Sequence, residues 1–322
     1  MADTRTTYSI EERTAGDGYR WRYRRYVPME PAKARIICVH GIQSHGGWYE
    51  YSCQRLCEAG YSVCFLDRRG AGLNQESRGD APSFRRLLDD LAEFIQGETR
   101  QRGSRIKGSP LAPREDGLPL AERKGYSDLQ SSTFNPPSGV RTFLMAISWG
   151  GKLAVALECR HPGLVDGLAL ICPGFFPKVR PSFAERIRIA LARLHSPQKL
   201  FAIPLNDPEL FTPNVSRQKF IREDPLSLRQ ATARFLVESV RLDGYLHLAS
   251  RSVKIPILVM LAEKDRIIDN VRTRRFIERF SSPDKKIIEY LGAHHTLEFE
   301  PDPEVYLNDL LTWLKEHAEV KK

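Results

Sequence analysis

Residues 143–157 read FLMAISWGGKLAVAL, and the interpretation of the whole chain starts from this stretch. The apolar run Phe143–Ile147 has the composition of a buried strand, and the residues after the two glycines have that of a helix. Ser148 stands at the junction between them. A strand, a sharp turn with a serine, and a helix predict a nucleophile elbow, which presents the serine hydroxyl at the end of a sheet.

A turn this tight needs small residues two positions before and two positions after the nucleophile, because larger side chains would collide there. Ala146 and Gly150 occupy these positions. The usual pattern has glycine at the first position, and alanine adds only one methyl group. The competing interpretation is a serine that caps the following helix. The buried strand in front and the small neighbours favour a nucleophile.

The rest of the chain alternates strands with helices, which predicts an α/β fold with a mostly parallel sheet. The segments TYSIEER and YRWRYRRYV flank the turn signal AGDG, and they predict an antiparallel N-terminal hairpin. Apolar residues recur at helical spacing in SFRRLLDDLAEFI, so this segment should form a helix that lies on the sheet.

Two stretches interrupt the alternation. Residues 97–140 are rich in Gly, Pro, Ser and charged residues, and they predict a surface insertion that is partly flexible. Residues 174–252 contain the helical patterns PSFAERIRIALARLH and DPLSLRQATARFLVESVRL. This second stretch predicts a helical cap, inserted into a core made of residues 1–173 and 253–322.

A serine hydroxyl is a weak nucleophile at neutral pH, so it requires a base, and the base requires an acid that orients it. In this architecture ligands bind at the C-terminal ends of the strands, so both partners are expected directly after strands. Asp265 follows the predicted strand IPILVMLA. Glu263 and Asp269 compete for the role of the acid, although Asp269 is also placed to cap the next helix.

The candidate bases follow the predicted strand KKIIEYL. His295 directly precedes an apolar run, and His294 is the alternative. The order serine, acid, histidine along the chain agrees with the order that a nucleophile elbow requires.

Hydrolysis also needs two backbone N–H groups that face the developing oxyanion. One should come from Trp149, directly after the nucleophile, and the other from the loop after His40-Gly41, at Ile42. His40 is expected to organise this loop rather than to act as a base. For His45, in the same loop, a place beside the substrate and a solvent-exposed position are equally compatible with the sequence.

Composition limits the classes of protein to which the chain can belong. Its 322 residues are 41% hydrophobic, which is enough for a large core. No apolar run is long enough to span a membrane, and the polar start lacks the apolar centre of a secretory signal, so we expect a cytoplasmic protein. The net charge of +9 is compatible with weak association with a membrane surface or lipid aggregates, and no nucleic-acid-binding motif accompanies it.

The six cysteines form neither a C-x-x-C pair nor a zinc pattern. We therefore expect reduced thiols, three of them in buried strands, and no metal or organic cofactor.

These motifs together resemble those of the α/β-hydrolases, and most of all the group of monoacylglycerol lipases, lysophospholipases and serine aminopeptidase-like hydrolases. The resemblance covers nearly the whole chain apart from the stretch around residues 97–140. The motifs that carry it are, in order, VHGIQSHGGWY, FLDRRGAGLN, AISWGG, LVMLAEKDRIID and GAHHTLEFE.

The resemblance implies an α/β-hydrolase fold and favours His295 over His294, because the family's histidine stands fourth in the motif that GAHH matches. It likewise implies Asp265 as the acid, Ile42 as an oxyanion donor, and residues 174–252 as the cap. The chain departs from the family pattern at Ala146 and in the oxyanion loop, which reads H-G-I-Q-S-H rather than H-G-x-G-E-H. The second departure leaves the substrate open.

The function that follows is that of a serine hydrolase acting on carboxylic esters through an acyl-enzyme intermediate, with a monoacylglycerol, a lysophospholipid or another acyl ester as substrate. The apolar helix faces of the cap are expected to line an acyl pocket. An aminopeptidase or amidase is the alternative, and it would need a cap carboxylate such as Glu209, Glu223 or Asp224 to hold the substrate's amine. A non-catalytic binding protein would be expected to lack a member of the triad.

Overall fold

The structure, a computed structural model, describes residues 8–105 and 140–319 of the chain. Five of the strands in these ranges are rich in apolar residues and buried along their whole length. Strands buried on both faces are expected where helices cover a parallel sheet. The strands are β1 (Ser9–Thr14), β2 (Arg20–Tyr26), β3 (Arg35–Val39), β4 (Ser62–Leu66), β5 (Thr142–Ile147), β6 (Gly167–Ile171), β7 (Leu200–Ala202), β8 (Gln230–Thr232), β9 (Ile257–Ala262) and β10 (Lys285–Tyr290).

Eight of these strands form one sheet, in the order β1-β2-β4-β3-β5-β6-β9-β10. β2 pairs antiparallel with both β1 and β4, and every other neighbouring pair is parallel. The mostly parallel sheet and the antiparallel N-terminal hairpin are therefore confirmed. In the register of the central strands Val39 is opposite Ala146, and Ala146 is opposite Leu170, so β3, β5 and β6 end at the same edge.

Helices connect the parallel strands. α1 follows β3, α2 follows β4, α3 follows β5, and α7 joins β9 to β10. Asp269 accepts a hydrogen bond from the backbone N–H of Arg272 and so caps α7, as predicted. The helices are α1 (Glu50–Glu58), α2 (Phe84–Arg105), α3 (Gly150–Arg160), α4 (Phe183–His195), α5 (Val215–Glu223), α6 (Ala233–Ala249), α7 (Asn270–Glu278) and α8 (Glu304–Ala318).

Between β6 and β9 the chain leaves the sheet and forms a separate layer. This segment contains α4, α5 and α6, together with the small antiparallel pair of β7 and β8. α6 packs on α3 of the core and on α4. We propose that residues 174–252 of this segment are a cap that covers the C-terminal edge of the sheet.

Two predicted boundaries differ from the structure. α2 continues to Arg105, past the expected break at residue 97. Across this position Arg13 of β1 donates to the Phe94 carbonyl and pairs with Glu98. The rest of the predicted insertion, residues 106–139, lies outside the described residues.

The helix predicted from DPLSLRQATARFLVESVRL begins only at Ala233. Residues 230–232 form β8 instead, and the Thr232 side chain accepts a hydrogen bond from the Phe235 N–H to cap α6. The start of this pattern is held in a loop by contacts with the core that are described below.

The apolar face of α4 also differs from expectation. Phe183, Ile187, Leu191 and Leu194 are exposed, to 71%, 46%, 55% and 74%. Ile189, on the opposite side, is the residue that packs into the cap. The prediction that this face lines an acyl pocket is therefore wrong, because it points away from the rest of the molecule.

All six cysteines are free thiols, and five of them are buried. Cys38 and Cys64 lie in the buried strands β3 and β4, as predicted. Cys172 is buried as well, but it directly follows β6 and is not part of it. Among the helices of residues 8–105 and 140–319, none combines the length and apolar content that crossing a bilayer requires.

Candidate active site

The backbone at Ser148 has the conformation of a nucleophile elbow. Its φ is 51°, in the left-handed region that residues other than glycine rarely adopt. Hydrogen bonds on both sides hold this strained residue. The Ser148 N–H donates to the Ile171 carbonyl of β6 at 2.9 Å, and the Ser148 carbonyl accepts from the N–H groups of Gly151 and Gly174 at 2.9 and 2.7 Å.

Close packing explains why small residues surround the elbow. A Cβ atom on Gly150 would lie 2.7 Å from the carbonyl oxygens of both Val39 and His40, at the end of β3. A Cβ atom on Gly41 would lie 3.1 Å from the Cβ atom of Ser148. The elbow and the loop after β3 therefore touch along their backbones, which fixes the hydroxyl against that loop.

The structure brings Ser148, His295 and Asp265 into one hydrogen-bonded line. Ser148 Oγ lies 3.0 Å from Nε2 of His295, and Nδ1 of His295 lies 2.7 Å from Oδ2 of Asp265. Oδ1 of Asp265 accepts from the backbone N–H groups of Ile267 and Ile268 at 2.7 and 2.8 Å. The imidazole is thus held between the hydroxyl and a fixed carboxylate, which is the arrangement that proton transfer from a serine requires.

The competing acids and base have other partners. Glu263 accepts from the Gly292 N–H, and Asp269 caps α7. His294 contacts Glu300 through both its backbone N–H and its ring. Each of these side chains is accounted for by the loop or helix in which it lies.

His40 orients the loop that contains Ile42. The Arg68 N–H donates to Nε2 of His40 at 3.0 Å, so the ring proton is on Nδ1, which donates to the Gly41 carbonyl at 2.7 Å. Burial, reinforced by the Arg68 guanidinium, lowers the pKa of His40 to about 3 and keeps the ring neutral. His40 is therefore structural, as predicted.

The bond to Gly41 also sets the direction of the Ile42 N–H. The Gly41 carbonyl and the Ile42 N–H belong to one trans peptide unit and point in opposite directions. The Ile42 N–H therefore points away from the His40 ring. Within residues 8–105 and 140–319, neither this N–H nor that of Trp149 has a hydrogen-bond acceptor. Both are available to a developing oxyanion.

Arg68 is a buried part of the site that sequence reasoning missed. Its guanidinium donates to the Ile42 carbonyl and lies 5.2 Å from the ring centre of Trp149 and 4.9 Å from that of Phe235 on α6. Burial lowers the pKa of Arg68 to about 9, and in the part of the chain that the structure describes Nε and Nη1 have no hydrogen-bond partner. The side chain therefore links the residues of both candidate oxyanion donors to α6.

His45 is neither solvent-exposed nor a free ligand for a substrate. It is buried, and its Nε2 lies 2.9 Å from Oδ2 of Asp224 in the segment between β6 and β9. The carboxylate that was a candidate amine ligand is therefore occupied by a contact with the core. Glu209 and Glu223, the other candidates, are exposed.

One family description covers most of this chain. Residues 30–109 and 129–302 match the family described as serine aminopeptidase, S33. The chain belongs to this family.

Three curated proteins are similar to this chain over most of their length. The monoacylglycerol lipase of Mycolicibacterium smegmatis is 25% identical, over 98% of this chain and 99% of that protein. Lysophospholipase L2 of Escherichia coli K12 is 25% identical, over 90% and 82%. The human monoglyceride lipase is 24% identical, over 88% and 82%.

Solved structures share the fold of this S33 family chain. The monoacylglycerol lipase of Paleococcus ferrophilus matches with a TM-score of 0.72 and 21% identity, covering 92% of this chain and 98% of that one. A soluble variant of the Saccharomyces cerevisiae monoglyceride lipase, solved with a substrate analogue, matches with a TM-score of 0.78 and 18% identity, covering 99% of both chains. The fold is that of an α/β-hydrolase.

The ligand atoms of Cys172, Asp265 and His295 lie within 4.8 Å of one another, a spacing that a metal ion could bridge. The chemistry of the donors does not fit one. Burial raises the pKa of the Cys172 thiol well above its ordinary value, which keeps it protonated and a poor ligand. His295 and Asp265 are already hydrogen-bonded to each other, and an ion would have to separate them.

The packing at Gly150 generates a testable prediction. Gly150→Ala should lower the free energy of unfolding by about 1–3 kcal/mol, because the new methyl group meets the backbone carbonyls of Val39 and His40, which cannot swing aside. Gly244→Ala is the matched control: Gly244 lies in α6 with open space around it, so alanine there should stabilise the helix. Urea unfolding of both variants provides the measurement, and equal stability of the two would contradict the elbow packing.

Proposed function

We propose that this protein is a serine hydrolase that cleaves carboxylic esters through an acyl-enzyme intermediate. The observation that carries the proposal is the line of contacts from Ser148 Oγ through the His295 ring to Asp265, at 3.0 and 2.7 Å. The membership of the S33 family and the names of the curated relatives support the same chemistry.

In the first half of the reaction, Ser148 Oγ attacks the carbonyl carbon of the ester while Nε2 of His295 takes the hydroxyl proton. Asp265 stabilises the imidazolium that forms. The backbone N–H groups of Ile42 and Trp149 donate to the oxyanion of the tetrahedral intermediate. His295 then gives its proton to the leaving alcohol, and the acyl group stays on Ser148.

In the second half, water takes the place of the alcohol. His295 removes a proton from the water as it attacks the acyl carbonyl, and returns that proton to Ser148 as the carboxylic acid leaves. The five groups named here are the catalytic serine, acid and base and the two oxyanion donors of our proposal.

The substrate that we propose is a monoacylglycerol, a lysophospholipid or a similar acyl ester. The names of the curated relatives support this class, and the basic net charge of +9 is compatible with an anionic headgroup. An amidase is the second candidate, because the family description names an aminopeptidase. The structure of the three candidate amine ligands favours the ester. Asp224 is already hydrogen-bonded to His45, and Glu209 and Glu223 are exposed, so none of the three is a free, buried carboxylate that could hold an amine.

The free cysteines are consistent with our proposal that the enzyme acts in the cytoplasm.

The experiment compares p-nitrophenyl esters of graded chain length with aminoacyl p-nitroanilides, using wild type and Ser148→Ala. We expect the wild type to hydrolyse the esters, with medium chains preferred, and the variant to lose about 10⁴-fold or more in kcat. Ser281→Ala is the matched control, because Ser281 is exposed and its hydroxyl donates to the Arg251 carbonyl, away from the residues of the site. A wild type that hydrolyses the anilides but not the esters would overturn the ester proposal. Full activity of Ser148→Ala would show that Ser148 is not the nucleophile.

We also propose that α4 is the surface through which the protein contacts lipid aggregates. Phe183, Leu191 and Leu194 are exposed on one side of this helix, where an apolar surface is costly in water. Arg186 and Arg188, also exposed, lie between them in sequence. An exposed helix with an apolar face and cationic residues has the character of an interfacial helix, which binds the boundary between headgroups and acyl chains.

Binding to vesicles tests this surface. Phe183→Ser with Leu194→Ser should weaken binding to phosphatidylglycerol vesicles by about 10-fold or more, since two large side chains no longer enter the lipid. Turnover of a monomeric p-nitrophenyl ester should not change. Val271→Ser, at an exposed valine of α7, controls for the loss of surface hydrophobicity elsewhere. Unchanged vesicle binding by the double variant would contradict the proposal.

A further inference from the structure

A single carboxylate of the proposed cap contacts the loop that follows Ile42. Oδ2 of Asp224 lies 2.9 Å from Nε2 of His45 and 2.7 Å from Nε1 of Trp48. All three side chains are buried, with 5%, 4% and 3% of their surface exposed for Asp224, His45 and Trp48. A buried carboxylate in contact with two donors of one loop fixes that loop strongly, because leaving a buried charge unpaired is costly.

The protonation of the two donors is set by the structure. The Gly47 N–H donates to Nδ1 of His45 at 3.0 Å, so the ring proton is on Nε2 and points to Asp224. The indole N–H of Trp48 can only donate a hydrogen bond. Burial alone would raise the pKa of Asp224, but the hydrogen bonds from His45 and Trp48 outweigh it and hold the pKa well below its ordinary value. Asp224 is therefore a permanent acceptor at neutral pH.

The same segment meets the loop through its backbone. The Leu228 N–H donates at 2.9 Å to the carbonyl of Gln43, the residue directly after Ile42. Arg78 of the core donates to the carbonyls of Leu226 and Ser227, which holds the segment down beside the loop. The proposed cap therefore contacts the oxyanion loop at two places, at the Gln43 carbonyl and at the side chains of His45 and Trp48.

We propose that Asp224 is a positioning residue of the oxyanion hole. By holding His45 and Trp48 it fixes residues 42–48, so that the Ile42 N–H keeps the direction that the oxyanion needs. This inference rests on the proposed hydrolase function. It adds that the cap supplies part of the transition-state stabilisation, in addition to covering the substrate.

A role in the oxyanion hole has a kinetic signature that a purely structural role lacks. An oxyanion donor binds charge that develops only in the transition state, so its displacement lowers kcat and leaves KM nearly unchanged. Loss of cap structure would instead lower the fraction of folded enzyme or raise KM. A trifluoromethyl ketone forms a tetrahedral oxyanion with the serine, so its affinity reports on the same donors.

The variants follow from the contacts. Asp224→Asn keeps the size of the side chain but replaces one of its two acceptor oxygens with an NH₂ group. The donors on that side then lose their acceptor, whether these are His45 and Trp48 on Oδ2 or the Leu226 N–H on Oδ1. Trp48→Phe removes one donor and keeps a ring to pack on Phe211 and Phe299. Glu223→Gln is the matched control, because it removes the same charge from the adjacent, exposed residue.

We expect Asp224→Asn to lower kcat for a p-nitrophenyl ester by about 10-fold or more, with KM within about 2-fold of wild type. Affinity for the trifluoromethyl ketone should fall by the same factor as kcat/KM. The double variant Asp224→Asn with Trp48→Phe should lose less activity than the product of the two single losses. Both substitutions remove the same contact, the hydrogen bond from Trp48 to Asp224. Glu223→Gln should match the wild type in all three measurements.

The outcomes separate this inference from the function on which it rests. An active wild type whose Asp224→Asn variant keeps its kcat, or loses it only in proportion to its unfolded fraction in circular dichroism, overturns the positioning role alone. A change confined to KM does the same. A wild type that hydrolyses no ester and does not bind the ketone overturns the proposed function, and the inference falls with it.

Discussion

The whole site depends on the left-handed backbone of Ser148. A serine at a φ of 51° is strained, and it persists because β6 accepts its N–H while two glycine N–H groups donate to its carbonyl. The central parallel strands make this possible, since β3, β5 and β6 end in register at one edge. The strain lifts the side chain out of the sheet, toward the ends of β9 and β10, where Asp265 and His295 are found.

The second constraint is the rigidity of the loop after β3. His40, Arg68 and Asp224 each hold a different part of it: the peptide before Ile42, the carbonyl of Ile42, and the side chains of His45 and Trp48. Donors that are oriented before the substrate arrives need no reorganisation during the reaction, which is the source of their catalytic effect. The cost is the burial of two charges, the Arg68 guanidinium and the Asp224 carboxylate. Arg68 contacts the Ile42 carbonyl and the rings of Trp149 and Phe235, and Asp224 accepts from His45 and Trp48.

The sequence predicts those parts of the fold and site that have local signals. Ser148 directly follows the apolar strand β5, and Asp265 and the His294–His295 pair come a few residues after β9 and β10. Such strand ends meet at one edge of a parallel sheet, which made these residues candidates. The choice of His295 over His294 came from the resemblance to the family. The contact of Asp224 with His45 spans 179 residues and has no spacing rule, so neither residue could be assigned its partner. The role of Arg68 also had no signal in the sequence, because its contacts with Ile42, Trp149 and Phe235 join distant parts of the chain. The periodicity of α4 marks an apolar face but not its direction, and here that face points outward rather than into a pocket.

The most direct test of the account is to treat the wild-type protein with a fluorophosphonate probe and to locate the adduct by peptide mass spectrometry. The reagent reacts with a serine only where a base activates the hydroxyl and donors stabilise the oxyanion. Labelling therefore tests the position of Ser148, the His295 base and the oxyanion donors in one experiment. The account predicts one adduct per chain, on Ser148. Ester turnover by a protein that stays unlabelled, or an adduct on a different serine, would contradict it.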